Sequence, residues 1–449
     1  MIPVLFQQAF QAFQRGDAAT AAPLLDTILK LAPGQADALA LYGLLRLEQG
    51  EPGEAARLLT QATAARPRDG ALLFNLGRAR RAAGDAAGAV NAYREALALH
   101  PEEAALHYNL GNALADLGAV EAALASMQTA ARLDPADHDA PWNAALLQLQ
   151  LGRLDEGWAG YEHGWASGGR GERFGSEAPC WDGSQALAGR TVLAWAEQGY
   201  GDTLQFARYL PLLAARGARV LLQCQRTLAD LLSGVEGVSQ VFARGEPLPP
   251  HDFQCPLMSL PRAFATRLDT IPAPMRLPVD PARVAAFAQT LPAGPKRVGI
   301  VWSGSIVHQD DARRSWPLEA LLPLLQAPPP GAAFVCLQKD LRPHDAGALA
   351  RLPADFFRGE SLGSFADTAA LLASLDLVIG VDTAVLHLAA GQGLPAWLML
   401  PPRPDWRWLL DRDDSPWYPS LRLFRQQTGE PKSALLERVA AALRAHFQA

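Results

Sequence analysis

Asp376-Leu-Val-Ile-Gly-Val-Asp-Thr-Ala-Val-Leu-His-Leu-Ala-Ala-Gly-Gln-Gly-Leu-Pro395 is the stretch on which the reading of the chain turns. The apolar run Leu377 to Val381 predicts a parallel strand covered on both faces. Asp382-Thr383 suits a helix N-cap, and Leu386, Ala389 and Ala390 follow at helical spacing. Gly391 and Gly393 end that helix, and Pro395 opens a return strand, Ala396 to Leu400. A helix N-terminus at the carboxyl end of a parallel strand presents free N–H groups, which is where α/β proteins bind phosphate. Many capped turns of this kind are purely structural; a histidine at position 387 tips this one towards an anion site.

The same alternation extends outward. Thr191–Ala196 and Arg219–Cys224 read as strands around a helix from Asp202 to Ala215, and βα alternation continues to about Asp280. A second series has strands at Arg297–Trp302, Ala333–Gln338, Leu377–Val381, Ala396–Leu400 and Leu421–Phe424. Pro272, Pro274, Pro278, Pro281, Pro292 and Pro295 mark a linker between the two. The expectation is two Rossmann-like domains, residues 188–285 and 294–430, in the two-domain GT-B arrangement. An amphipathic helix over residues 431–449 follows.

Before residue 165 the period changes. Glycines recur at 16, 50, 84, 118 and 152 and prolines at 33, 67, 101 and 135, each stepping by 34 residues. Gly43, Gly77 and Gly111 keep the same step, as do Ala55, Ala89 and Ala123. A turn glycine, small residues at helix crossings and a closing proline on this period are the tetratricopeptide (TPR) signature. Four repeats over about residues 3–138 and a capping fifth to about Trp165 predict an α-solenoid over residues 1–165. Asn75, Asn109 and Asn143 also step by 34 residues on the first helix of each unit. They resemble the asparagine ladder of TPR-bearing O-GlcNAc transferases, which implies a groove for extended polypeptide. An asparagine that satisfies a neighbouring turn is the competing account.

Composition narrows the classes of function. The chain has 449 residues, room for about three domains. A net charge of −6 gives no basic face for nucleic acid. No apolar run approaches the ~20 residues of a membrane span, and Met1 to Phe13 lacks the basic start of a secretory signal. Cys180, Cys224, Cys255 and Cys336 stand apart without a C-x-x-C pair, as expected of reduced thiols in a cytoplasmic protein. Repeat faces often self-associate, which leaves a homo-oligomer open.

Two further loops carry polar residues of interest. Gly199-Tyr200-Gly201-Asp202 fails as a dinucleotide fingerprint, because Leu204 stands at the third glycine and no acidic residue closes the next strand. Asp202 there opens a helix, where a carboxylate caps the N-terminus and favours the helix dipole. Gly299-Ile300-Val301-Trp302-Ser303-Gly304-Ser305 runs from a strand into a Gly/Ser loop, followed by His308, Asp310, Asp311 and Arg314-Ser315-Trp316-Pro317. His308 with Asp310 and Asp311 has no partner cluster, so no metal is expected. The aromatic stretches Pro401 to Trp408 and Ser415-Pro416-Trp417-Tyr418-Pro419 lie at the edge of the expected cleft and have two readings: rings that stack on a sugar or base, with Arg403 or Arg407 reaching a phosphate, or rings that fasten a long loop, the reading favoured.

Asp382, Thr383, His387, Leu388 and Ala389 match, position for position, the D-T-x-x-x-H-L-A loop of the ADP-heptose:lipopolysaccharide heptosyltransferases. The chain resembles that family, and over about residues 1–430 it resembles bacterial proteins in which TPRs precede such a domain. The resemblance implies a metal-independent, inverting glycosyltransferase that needs no cofactor. It implies Asp202 as general base beside Gly199 and Gly201, and Ser303, Arg314, Asp382, Thr383, Ala384 and His387 as the nucleotide-sugar site. Arg314 stands where that family has lysine; it keeps the charge but changes a point charge to a planar fork. The TPR groove would hold a protein or peptide acceptor. The competing expectation is a catalytically inactive TPR scaffold that retains a nucleotide site.

Overall fold

The computed structural model describes residues 1–291, 296–307, 311–353, 356, 359 and 362–448. Pro292 and Pro295 of the expected linker, and His308 and Asp310, lie outside the described residues. The chain divides into two compact units, Met1–Gln148 and Leu149–Ala449.

The first unit is built of helix hairpins. Helices Ile2–Gln14 and Ala18–Leu31, Ala36–Glu48 and Pro52–Ala65, Gly70–Ala82 and Ala86–Leu99, and Ala104–Asp116 and Val120–Leu133 pack in pairs, and each pair packs on the next. Gly16, Gly50, Gly84 and Gly118 close the four hairpin turns with φ between 71° and 84°. That is the left-handed region where only glycine is unstrained, so the 34-residue glycine period is a backbone requirement. The second small-residue series sets how closely the helices approach. A methyl group on Gly77 would lie 2.4 Å from the Tyr93 ring, on Gly43 2.7 Å from Leu59, and on Gly111 2.9 Å from Met127. Each contact is to the residue 16 positions on, so the repeat in sequence is a repeat in packing.

In the second unit the described residues form nine strands, all paired in parallel. β1 (Thr191–Trp195), β2 (Arg219–Cys224), β3 (Val238–Ala243) and β4 (Phe253–Pro256) make one sheet in the order β3-β2-β1-β4. β5 (Lys296–Val301), β6 (Ala332–Cys336), β7 (Leu377–Val381), β8 (Ala396–Leu400) and β9 (Leu421–Arg425) make the other, ordered β6-β5-β7-β8-β9. The strand order reverses beside β1 and between β5 and β7; such switch points open a crevice at the carboxyl ends of strands. The C-terminal helix Lys432–Gln448 buries Leu435, Leu436, Val439 and Leu443 in the core of the five-stranded sheet, with Val298, Ile300 and Trp302.

One boundary differs from the sequence reading. The repeat period continues through Gly152, yet residues 149–165 belong to the α/β unit. Helix Leu154–Tyr161 places Trp158 with its ring centroid 5.3 Å from Trp406, 5.8 Å from Phe206 and 6.5 Å from Trp417. Burial of that indole against distant aromatic rings outweighs the local pattern, which is the same in either context.

Candidate active site

The turn after β7 has the expected form with one difference. Thr383 is the N-cap of helix Ala384–Gly391 by position, but its side chain makes no capping bond. Its Oγ1 is buried without a partner among the described residues. The Leu386 N–H donates to the Thr383 carbonyl at 3.0 Å, and the N–H groups ahead of it carry the positive end of the helix dipole. Asp382 is held from two sides: the Trp408 indole N–H donates to Oδ2 at 2.8 Å, and His387 Nε2 lies 3.5 Å from Oδ1. Burial pushes the Asp382 carboxyl up, but His387, Trp408 and Arg314 outweigh it and hold the group down at about 2. The other His387 nitrogen, Nδ1, is 2.9 Å from the Tyr418 hydroxyl.

Across from this turn, the loop after β1 starts helix Tyr200–Phe206, with Gly199 at its N-cap. Asp202 Oδ2 accepts the Gly199 N–H at 2.9 Å, and Arg407 Nη2 donates to Asp202 Oδ1. Gly201 lies directly against His387; a methyl group there would sit 2.8 Å from the imidazole Cδ2. Any side chain at Gly201 would therefore separate the two helix starts. A further prediction arises here. Gly201→Val should weaken ligand binding in the cleft by about 10-fold or more, checked by calorimetry, because the helix starts cannot close over a branched side chain.

The loop after β5 supplies the third wall. Ser303 N–H donates to Gln338 Oε1 at 3.0 Å and Gly304 N–H to Ser315 Oγ at 3.0 Å. The Arg314 guanidinium lies over Gly304, where a Cβ would come 2.5 Å from Nη2, and Nη1 donates to the Asp382 carbonyl at 3.1 Å. Arg342 ties the loop down through the Gly304 carbonyl at 3.1 Å and Asp311 Oδ2 at 2.7 Å. Ser303 Oγ, like Thr383 Oγ1, is buried with no partner among the described residues. A buried hydroxyl left unpaired is unfavourable by about 1–3 kcal/mol, so two of them beside one helix N-terminus mark a place for a polar ligand.

These loops enclose a cleft of 450 Å³ lined by Gly199, Gly201, Asp202, Arg314, Asp382, Thr383, Ala384 and His387. Every one of these was singled out from sequence. Ser303 lines an adjoining cavity of 530 Å³, which shares Tyr200, Gly304, Ser305, Thr383 and Ala384 with the cleft. Asp405 and Arg407 also line the cleft. Asp405 had only its place in an aromatic segment, and Arg407 was read there as able to reach a phosphate, with nothing in the sequence to pair it with Asp202. The cleft can neutralise an anion through Arg314 and the helix N-terminus, and it presents a carboxylate, Asp202, to a second group. Among the described residues no cluster of three or more His, Cys, Asp or Glu is placed to hold a metal ion.

The asparagine series lies elsewhere. Asn75, Asn109 and Asn143 sit half-buried on Gly70–Ala82, Ala104–Asp116 and Asp139–Gln150. Asn109 Nδ2 donates to the Ala105 carbonyl at 2.8 Å, and Asn143 Nδ2 to the Tyr108 hydroxyl at 3.1 Å. Two of the three amides thus spend a donor inside the repeats.

Tetratricopeptide-repeat family models match residues 12–79 and 74–138. Residues 12–138 are tetratricopeptide repeats. The chain is also similar to protein FlbA of Caulobacter vibrioides, 32% identical over 333 residues, covering 67% of this chain and 54% of FlbA. It therefore spans about half the length of that curated relative. Among solved structures, MamA is 21% identical and matches 34% of this chain and 91% of its own, with a TM-score of 0.34. YrrB, described as a TPR protein with an unusual peptide-binding site, is 19% identical, covering 35% of this chain and 82% of its own at 0.33. PilF of Pseudomonas aeruginosa is 21% identical, covering 38% and 78% at 0.34. The TPR unit is a protein-interaction module, and no described helix of the chain is long and apolar enough to cross a membrane.

Proposed function

We propose that the α/β unit is a GT-B glycosyltransferase of the heptosyltransferase-like kind, with two Rossmann-like domains, and that it transfers a sugar from a nucleotide-sugar to an acceptor. The observation that carries this reading is the convergence on one cleft of Asp202, Arg314, the Thr383–Ala384 helix start and His387, with the unpaired Ser303 and Thr383 hydroxyls beside them. The acceptor hydroxyl oxygen attacks the anomeric carbon as its proton passes to Asp202. The bond from that carbon to the phosphate oxygen breaks, and the nucleoside diphosphate leaves with inversion. Arg314 and the N–H groups of Thr383 and Ala384 stabilise the charge that develops on the leaving group. The reaction needs no metal in this scheme. The TPR unit holds a protein or peptide acceptor, and the four free cysteines suit a cytoplasmic setting.

One observation favours a second reading, an inactive TPR scaffold that only binds nucleotide: both Asp202 oxygens already accept hydrogen bonds. Calorimetric titration with ADP, UDP and GDP separates the readings from their absence. One nucleotide should bind with a dissociation constant of order 10 μM, about −7 kcal/mol. Arg314→Ala should weaken it about 10–100-fold, the range for a hydrogen bond to a charged group. No binding of any of the three by folded protein rejects both readings. Binding without release of nucleoside diphosphate from the matching nucleotide-sugar selects the scaffold.

A further inference from the structure

The segment Asp405–Tyr418 sends three side-chain polar groups to three residues of the cleft. Arg407 Nη2 reaches Asp202, Trp408 Nε1 reaches Asp382, and the Tyr418 hydroxyl reaches His387. The two partners are 205 residues apart in the first bond, 26 in the second and 31 in the third. Buried indole, hydroxyl and guanidinium groups need partners wherever they lie; here all three partners line one cleft.

Each donor is itself fixed. Arg407 gives Nη1 to Asp405 Oδ1 at 2.8 Å, and its guanidinium carbon stands 4.3 Å from the Trp406 ring centroid. Burial pushes its pKa down, but the carboxylates of Asp405 and Asp202 outweigh this and keep it firmly charged. Trp408 is 1% exposed, with its ring centroid 5.4 Å from that of His387. Tyr418 is equally buried, and the Arg208 guanidinium lies 4.9 Å from its ring centroid. Arg208 is anchored in turn to the carbonyls of Gln205, Pro272 and Trp417, at 2.7, 3.1 and 2.8 Å. Just past Trp408 the chain takes a conformation that residues with side chains rarely adopt, φ 52° at Leu409 and 49° at Asp411. The segment is bent into place by its surroundings.

We propose that this segment is a positioning element of the cleft: Arg407 aims the Asp202 carboxylate, while Trp408 and Tyr418 set Asp382 and His387 at the helix start. The inference rests on the glycosyltransferase reading above and adds residues that act through others without touching the reacting atoms. Without Arg407 the Asp202 carboxylate is held only from the Gly199 side and can turn about that bond, and a misplacement of about 1 Å lowers turnover about 10²-fold.

The test uses the full chain, the nucleoside diphosphate that binds in calorimetry and the matching nucleotide-sugar, with release of diphosphate as the turnover readout. Arg407→Ala should lower kcat about 10²-fold with KM for the nucleotide-sugar within about threefold, and Arg407→Lys should restore about 10-fold of that loss. Tyr418→Phe removes only the hydroxyl, and Trp408→Phe removes the indole N–H together with part of the buried ring. Each should weaken diphosphate binding about 3–10-fold per folded molecule, the worth of one hydrogen bond, and Tyr418→Phe should do so with the thermal unfolding midpoint of the parent protein. Variants that turn over and bind like the parent overturn the inference and leave the glycosyltransferase reading standing. So do variants that only unfold earlier, with kcat and affinity unchanged per folded molecule. A parent protein that binds no nucleotide rejects the glycosyltransferase reading, and the inference falls with it.

Discussion

Asp202→Asn is expected to lower turnover of the nucleotide-sugar by about 10²–10⁴-fold, the usual contribution of a positioned general base. Asparagine is the informative choice because it keeps the shape of the site. Its side-chain oxygen can still accept the Gly199 N–H, so the start of helix Tyr200–Phe206 is retained. It cannot take a proton, and it offers Arg407 no charge. Alanine is a poorer choice: it leaves the buried Arg407 guanidinium with Asp405 as its remaining carboxylate, and breaking a buried pair destabilises by about 3–5 kcal/mol. A fall in activity would then mix catalysis with folding. Nucleoside diphosphate affinity should stay within about twofold in the asparagine variant, because the phosphate-facing groups are on Arg314 and the helix start. Turnover close to that of the parent protein would remove Asp202 from the role of base.

The hydrogen bonds of Asp202 raise a point about acceptor binding. Oδ2 is committed to the helix start and Oδ1 to Arg407, and the side chain is 21% exposed at the edge of the cleft. Each oxygen keeps one further lone pair, so in the proposed reaction an acceptor hydroxyl comes in beside either the Gly199 N–H or the Arg407 guanidinium.

Residues at the ends of strands were legible in the sequence because the signals there are local. β7 and β8 begin and end where their apolar runs do, at Leu377–Val381 and Ala396–Leu400. The 34-residue glycine period reads directly as positive φ in the hairpin turns. Asp202, Arg314, Asp382 and His387 were reached through their spacing and the family resemblance, and all line one cleft. What the sequence withheld are relations between distant residues. β3 has an exposed face, with Ser239 and Gln240 pointing out, and lacks the continuous apolar run of a central strand. Arg407 looks like any basic residue between two tryptophans until Asp202, far away in the chain, is set against it. The segment around Trp406 and Trp417 was read as a fastening loop; the rings do pack, but the hydrogen-bonding tips of Trp408 and Tyr418 point at the cleft. The contacts of helix Leu154–Tyr161 were hidden for the same reason, since it has repeat spacing but packs with aromatic residues of the α/β unit.

That helix carries the largest expected effect on stability. Trp158 is 2% exposed, with Tyr161, Phe206, Trp406 and Trp417 around it at ring-centroid distances of 5.3 to 6.5 Å. All four contacts are edge-to-face, so the indole fills a pocket shaped by its neighbours. Trp158→Ala should destabilise the α/β unit by about 3–5 kcal/mol, through lost burial and an unfilled cavity. Trp158→Phe should be far milder, at about 1 kcal/mol or less: the Trp158 indole N–H is buried without a partner among the described residues, and phenylalanine removes that penalty along with some volume. Tryptophan fluorescence in denaturant can follow this unit selectively, since Trp142 is the only tryptophan of the sequence before residue 149. An alanine variant destabilised by less than about 1 kcal/mol would show that the aromatic cluster closes over the gap. The expected ordering, alanine far below phenylalanine, follows from shape more than from hydrophobicity. It would also locate the mechanical support of Trp406 and Arg407 in a helix that the sequence period assigns to the repeats.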